Sequence, residues 1–409
     1  MPLWKVSMST KKQKQVLQHI KDHKQKEGIK PTLKQIAQYM DLSSVSNVYV
    51  HINALIDQGK LLKSDDHSSY DIPENNDDMN KVVREAGRLL RPGGVGAKNM
   101  RTLDLFAGIG GIRLGFERAG FKTVFANDFE KACQRTYDAN FKDAKLQVED
   151  ITKIVARDLP EFDFLLAGFP CQAFSIAGYR HGFKDEKGRG NLFFDIARIL
   201  EVRRPEGFLL ENVKNLKTHD GGNTYKVIEK TLSDLGYTVR TKVLNSMEYG
   251  NVPQNRERIY IVGFKDHAKT EAFEFPAPIK LTKSVVDILE KDVDAKYYYT
   301  GKPLHEKLVD DVTELGAVYQ WRRKYVRKNK KGVCPTLTAN MGMGGHNVPI
   351  IFDGKGIRKL TPRECARLQG YPDTYILPDL VDSTLYKQLG NSVTVPVLER
   401  IAKNMQEVL

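Results

Sequence analysis

Two textures of hydrophobic patterning run along the chain. In the first, KKQKQVLQHIKDHKQKEG, TLKQIAQYMDL and SSVSNVYVHINALIDQGK carry apolar residues at helical spacing. Leu33, Ile36, Ala37 and Met40 fall at i, i+3, i+4 and i+7, and Val48, Ile52, Leu55 and Ile56 form a second stripe of the same kind. Each stripe is one apolar face of a short helix, and the lengths suit a helix-turn-helix. Ser43 or Ser44 can cap the third helix and Gly59 can end it, after which KLLKSDD reads as the start of a short strand or wing. Ser46, Asn47, Tyr49 and His51 would then point outward.

Residues 71–99 are polar and then glycine-rich (IPENNDD, NKVVREAGRLL, RPGGVGAKN), the texture of a linker. From residue 100 short apolar runs alternate with helical periodicity, which predicts an α/β domain over 100–264, its mostly parallel sheet covered on both faces. The predicted strands are TLDLF, KTVFAND, FDFLLAG, GFLLENV, VRTKVLN and RIYIVGF. The rhythm stops near residue 265. Residues 265–355 are irregular, aromatic and basic, and a helical segment closes the chain from about 360.

Composition narrows this picture. At 409 residues, with 41% hydrophobic and 28% charged residues, the chain is globular and too long for one compact unit. Its four cysteines, Cys133, Cys171, Cys334 and Cys365, are scattered, which argues against a disulfide framework or a metal site. No apolar stretch approaches the roughly 18 residues of a membrane span, so a soluble, cytoplasmic protein is expected. A net charge of +13 fits a polyanionic partner, and residues 1–70 carry eleven lysines against six acidic residues.

The chemistry gathers at predicted strand ends. Asp104-Leu-Phe-Ala-Gly-Ile-Gly-Gly111 follows a strand and opens a helix, where glycines let backbone approach a cofactor. The third glycine of a dinucleotide fingerprint would fall on Arg113, so a nucleoside without pyrophosphate fits better. The next strand ends in Asn127-Asp128-Phe129, an acid for ribose hydroxyls beside an aromatic ring for adenine, and a third strand end supplies Glu149-Asp150-Ile151. That is the layout of an S-adenosylmethionine site. Gly168-Phe-Pro-Cys-Gln-Ala-Phe-Ser175 places Cys171 on the same sheet edge, ahead of the glycine- and charge-rich AGYRHGFKDEKGRGN, a plausible lid. Glu211-Asn212 ends another apolar strand, as a carboxylate kept protonated, one bound to a heteroaromatic nitrogen, or an exposed turn acid. Arg256 and Arg258 alternate on an incoming strand and suit a base edge, a phosphate or a surface ion-pair ladder.

In order and spacing, DLFAGIGG, GFPCQAFS, ENV, QNRERIY, RKLTPRECARLQGYPD and KQLGNSVTVPV resemble the DNA cytosine-5 methyltransferases, over residues 100–409. The resemblance implies a Rossmann-like S-adenosylmethionine-dependent fold with a target-recognition domain at 265–375 and a return to the catalytic domain at 376–409. It implies that Cys171 attacks the cytosine, that Glu211 and Arg258 hold its ring, and that Asn212, Arg256 and Pro170 support the pocket. Phe106, Gly108, Gly110, Asp128, Phe129, Asp150, Asn391 and Ser392 would contact the cofactor, and no metal is implied. Many members carry Glu where Asp128 stands.

The substrate would be a flipped-out cytosine of duplex DNA, met by a monomer. Gln172, Ser175, Arg322, Arg323, Arg327, Thr336, Thr338 and Asn340 would meet DNA, and residues 319–331, with seven basic residues in thirteen, interleave charge with aromatics. This block is similar to the subgroup that methylates the inner cytosine of CCNGG or CCWGG. Within residues 1–70, GIKPTLKQIAQYMDL followed by NALIDQGKL resembles, over a stretch of roughly 55 residues, the winged helix-turn-helix of LexA-type repressors, with Ser46, Asn47 and Tyr49 toward operator DNA. A tRNA cytosine-5 methyltransferase and a catalytically inactive DNA-binding regulator are the competing readings.

Overall fold

The computed structural model describes residues 11–27, 31–41, 48, 52, 55, 61–63, 70, 71, 100–170 and 192–409. The chain divides into two compact units, Met1–Lys98 and Asn99–Leu409. Ser43, Ser44, Ser46, Asn47, Tyr49, His51, Ile56, Gly59, Cys171, Gln172, Ser175 and the expected linker beyond Asp71 lie outside the described residues.

In the first unit, helices α1 (Lys11–Glu27) and α2 (Leu33–Tyr39) precede an antiparallel pair, β1 (Leu62–Lys63) and β2 (Tyr70–Asp71). Thr32 starts α2 with a capping box: its hydroxyl accepts from the N–H of Gln35, whose side chain returns to the N–H of Thr32. Val16, Ile20, Ile36, Ala37, Val48, Ile52, Leu55 and Leu61 form one buried cluster, so the described residues of both predicted stripes face inward.

The second unit is built on a seven-stranded sheet. Its elements run β3 (Arg101–Leu105), α3 (Gly111–Arg118), β4 (Lys122–Asp128), α4 (Lys131–Asn140), β5 (Leu146–Val148), β6 (Phe164–Gly168), α5 (Leu192–Arg203), β7 (Gly207–Val213), α6 (Asn223–Asp234), β8 (Thr238–Asn245), β9 (Gln254–Asn255) and β10 (Glu257–Phe264). The strand order is β5-β4-β3-β6-β7-β10-β8, with β10 antiparallel to both neighbours and the pairings of β5, β4, β3, β6 and β7 parallel.

The apolar runs are continuous because both faces of this sheet are covered. Leu165, Ala167, Phe208, Leu210, Ile259 and Ile261 pack on one side with Phe193, Ile196 and Ile228 of α5 and α6. Phe164, Leu166, Leu209, Tyr260 and Val262 pack on the other with Ile112 and Phe116 of α3. Successive residues of one strand thus enter opposite cores. From β3 the chain moves outward to β4 on one side and later resumes at β6 on the other. The carboxyl edge between them is a topological switch point, where open α/β sheets bind ligands.

A second, four-stranded antiparallel sheet follows, from β11 (Val318–Trp321), β12 (Val326–Lys328), β14 (Ile350–Phe352) and β15 (Ile357–Lys359), in the order β12-β11-β14-β15. Between these strands β13 (Cys334–Pro335) pairs in parallel with β9, forming a separate two-stranded sheet. The buried Arg358 guanidinium anchors β15: two bonds of 2.7 and 2.8 Å reach the Glu364 carboxylate and another reaches Asp353. Glu364 also closes the capping box that Thr361 opens on α7 (Pro362–Leu368). Helices α8 (Asp382–Asn391) and α9 (Val395–Gln406) return to the first sheet, with Val397, Leu398 and Ile401 of α9 in the core beside α3.

Candidate active site

One cavity of ≈ 440 Å³ lies against the carboxyl edge of the parallel strands. Its first half is shaped by the turn after β3, where Phe106 and Gly108 both have left-handed backbone, φ +54° and +53°. For Phe106 that conformation is strained, as is common at functional sites. Among the described residues nothing within 4 Å would meet a side chain at Gly108, so the turn offers bare backbone to the cavity. Asp128 at the end of β4 accepts 2.8 Å bonds from the N–H of Gly108 and of Glu130, one on each carboxylate oxygen. Burial raises its pKa, opposed by those N–H groups. The adjoining Phe129 ring is 69% exposed. Asn391 and Ser392 close the same wall from the end of α8, the Ser392 hydroxyl 2.7 Å from that of Tyr371.

These residues fit S-adenosylmethionine. Each Asp128 oxygen is fixed by one N–H and keeps lone-pair capacity for a ribose hydroxyl. An uncovered aromatic face beside it suits adenine. Glu130, Ala132, Cys133, Thr384, Lys387 and Gln388 complete this half, with Lys387 ion-paired to Glu130 at 2.5 Å.

The second half holds Pro170, Glu211, Asn212, Arg256 and Arg258. Glu211 sits on β7 and Arg258 on the antiparallel β10, so chains of opposite direction bring their side chains together. Arg258 Nε lies 3.2 Å from Glu211 Oε1, with side-chain exposures of 14% and 10%. Burial pushes the Glu211 pKa up, with Arg258 and then Arg256 opposing it. Asn212 donates to the carbonyl of Phe169 at 2.9 Å and accepts from the N–H of Val213 at 2.7 Å.

Residues 100–407 match the family model for C-5 cytosine-specific DNA methylase. The chain belongs to that family. It is a DNA cytosine methyltransferase, and S-adenosylmethionine is its methyl donor. The methylase is 53% identical over 315 residues to Type II methyltransferase M.Bsp6I of Bacillus sp. (strain RFL6), a match spanning 75% of this chain and 98% of that protein. It is 46% identical over 323 residues to M1.ScrFI of Lactococcus lactis subsp. cremoris, spanning 76% and 78%. A Spodoptera frugiperda DNMT2 mutant shares the fold of the second unit, with a TM-score of 0.59 at 21% identity over 75% of this chain and 99% of that one. Residues 7–69 match the LexA DNA binding domain model. No helix among the described residues is long and apolar enough to cross a membrane.

Other expected site residues of the methylase stand elsewhere. Gly110 is not in the cavity wall: it starts α3 in left-handed backbone, and a side chain there would overlap the Phe141 ring. Asp150 is exposed, and its carboxylate caps the following turn through the N–H and hydroxyl of Thr152 at 3.0 and 2.9 Å, which lowers its pKa. Arg256 lines the cavity, but its guanidinium is turned to backbone, with bonds to the carbonyls of Leu337, Gly390 and Ser392. A group so engaged supports the pocket and is not presented to a phosphate.

In the block expected to meet DNA, Thr336 donates to the Asn255 carbonyl at 2.7 Å, and Asn340 Oδ1 accepts from Thr338 and Asn347. Arg322 donates to the His346 carbonyl at 3.2 Å and Arg327 to Asn329 at 2.9 Å, while Arg323 has φ +69° in the turn between β11 and β12. Sequence reasoning missed Lys387 and Gln388, whose helical spacing after Thr384 was available, and it missed Gln254, two positions before Arg256.

Proposed function

We propose that this methyltransferase modifies C5 of a cytosine flipped out of a short duplex site, the inner cytosine of CCNGG or CCWGG, through a covalent bond from Cys171 to C6. The observation that carries the reading is the buried Glu211–Arg258 pair, in the same cavity as Pro170, the residue before Cys171. Cytosine C5 is a poor nucleophile while the ring stays aromatic. Addition of the Cys171 thiolate to C6 forms the S–C6 bond and moves the C5=C6 electron pair onto C5. S-adenosylmethionine supplies an electrophilic methyl group on a sulfonium. Once C5 is methylated, loss of its proton restores C5=C6 and expels Cys171.

Glu211, its pKa raised by burial, holds a proton toward N3 and accepts from the exocyclic amine, while Arg258 donates on the O2 side. Pro170, Asn212 and Arg256 hold these groups in place. C6 is unreachable in a stacked duplex, so the base leaves the helix at a cost of a few kcal/mol, offset by protein contacts. Phe106, Gly108, Asp128, Phe129, Asn391 and Ser392 hold the cofactor, with Gly110 and Asp150 acting from behind the cavity wall. Residues 265–375 read the target through Arg322, Arg323, Arg327, Thr336, Thr338 and Asn340, joined by Gln172 and Ser175.

The same chain binds operator DNA through residues 1–70, with Ser46, Asn47 and Tyr49 at the interface, and represses its own transcription. The LexA-type match over residues 7–69 supports this. The enzyme acts as a monomer in the bacterial cytoplasm.

The test is incubation of the purified protein and S-adenosylmethionine with unmethylated genomic DNA, followed by bisulfite sequencing. Conversion-resistant cytosines confined to one CCNGG or CCWGG motif are expected, and none protected while the cofactor still binds overturns the reading. Deleting residues 1–70 should abolish a footprint on the enzyme's own promoter and leave methylation intact.

A further inference from the structure

Between the two ligand halves and the recognition block runs a chain of buried amides that the chemistry above does not use. Gln254, fully buried on β9, donates to the Leu368 carbonyl at 2.9 Å and to Gln369 Oε1 at 3.1 Å, and accepts from the N–H of Leu337 at 3.0 Å. Gln369, also fully buried, donates to the Leu389 carbonyl at 2.8 Å and accepts from the Thr394 hydroxyl at 3.2 Å. Two residues after Gln254, Arg256 takes the Leu337 carbonyl at 2.9 Å and the Ser392 carbonyl at 2.5 Å.

Leu337 is thus held at both its amide ends by side chains of one short segment, and its neighbours are Thr336 and Thr338 of the recognition block. On the other side the same groups grip Leu389 and Ser392, which flank Asn391 of the cofactor wall. Backbone meets backbone here too, since an added side chain at Gly390 would overlap the Thr338 carbonyl. Apart from Arg256 Nε, the polar groups named here are paired, and neither end can move without unpairing buried groups.

We propose that Gln254 and Gln369 are positioning residues that couple the target-reading segment to the cofactor site, so that each ligand is bound tighter when the other is in place. This rests on the reading of the cavity and recognition block given above. Coupling is reciprocal, and between sites of this kind it amounts to about 5- to 150-fold in affinity.

The test uses the full chain, S-adenosylhomocysteine, and a duplex carrying the motif identified by bisulfite sequencing. Duplex affinity is measured with and without S-adenosylhomocysteine, and the ratio is the coupling factor. The parent should show a factor of about five or more. Gln369→Met, of similar volume without the amide, should bring it to near unity, while S-adenosylhomocysteine affinity without DNA changes little; the melting temperature falls, because the Leu389 carbonyl, the Gln254 amide and the Thr394 hydroxyl each lose a buried partner. Thr394→Val, a milder cut of the same chain, should give an intermediate factor and serves where Gln369→Met does not fold.

A folded variant with the parental factor overturns the inference, as does a fall of both affinities at constant factor, the mark of a merely structural role. A parent that binds both ligands without coupling overturns the inference alone. One that binds neither fails the functional reading and takes the inference with it.

Discussion

Asn212 donates its side-chain N–H to the carbonyl of Phe169 at 2.9 Å, tying the end of β7 to the turn that leads through Pro170. Because Glu211 precedes Asn212, this bond ties the carboxyl at the pocket to the Phe169–Pro170 turn. Asn212→Ala removes the tie and leaves a buried carbonyl unpaired, a cost of about 1–3 kcal/mol. If that cost falls on the transition state, kcat drops about ten- to hundredfold. Steady-state kinetics should show this with the KM for S-adenosylmethionine near its parental value.

Arg258 opposes the effect of burial on Glu211. In Arg258→Ala burial acts with less opposition, so the Glu211 pKa rises further. The protonated carboxyl faces N3 in the account above, and the rate falls as pH rises through that pKa. The variant's alkaline limb should therefore move to higher pH, with a maximal rate lower by about 10²–10⁴. A pH–rate profile under saturating DNA measures both.

Asp128 receives an N–H on each carboxylate oxygen, from Gly108 and from Glu130. In Asp128→Asn the amide NH₂ would point at one of those donors. The turn would lose an acceptor and the ribose a charged partner. We expect S-adenosylhomocysteine affinity to fall by about 1.5–3 kcal/mol, the range of hydrogen bonds to charged groups. Isothermal titration calorimetry without DNA reads it directly.

Asp104 is fully buried at the end of β3, and its carboxyl faces the N–H of Arg113 without a well-formed hydrogen bond. Burial, with the nearby Asp128 and Glu117 acting in the same direction and Arg113 against it, pushes its pKa up to about 8. The unfolded chain releases this proton near the ordinary value of about 3.9. Between those limits the folded state binds more protons. The stability that Asp104 contributes is complete below about pH 4 and is lost as pH rises toward 8, at about 1.4 kcal/mol per pH unit. Asp104→Asn should remove this slope. Its urea midpoint should gain on the parent between pH 5 and pH 8.

The sheet was legible because residues such as Phe164 and Leu165 enter opposite cores, which makes each strand a short unbroken apolar run between turn residues. The strand ends were legible too, since an acid after an apolar run has few places to go. A strand end does not say which way its side chain turns, and Asp150 caps its own turn outside the cavity. Arg113, read as a defect in a dinucleotide fingerprint, fills the space between α3 and α4 with its guanidinium over the Phe141 ring, bonded to Glu117 and Asp143. Gln254 and Gln369 touch across a separation of 115 residues; each lies in a quoted motif, QNRERIY and RKLTPRECARLQGYPD, but nothing local in either motif says that the two meet.

The central claim is nucleophilic catalysis by Cys171, and a trapped adduct tests it most directly. In a duplex carrying 5-fluorocytosine at the methylated position, the fluorine replaces the proton that must leave C5, so the S–C6 bond cannot be released after methyl transfer. Mass spectrometry of the digested complex should find the oligonucleotide, one methyl group heavier, joined to the peptide that contains Cys171, and no adduct with Cys171→Ser. Methylation of ordinary DNA by Cys171→Ser, or an adduct on Cys133, Cys334 or Cys365, would contradict it.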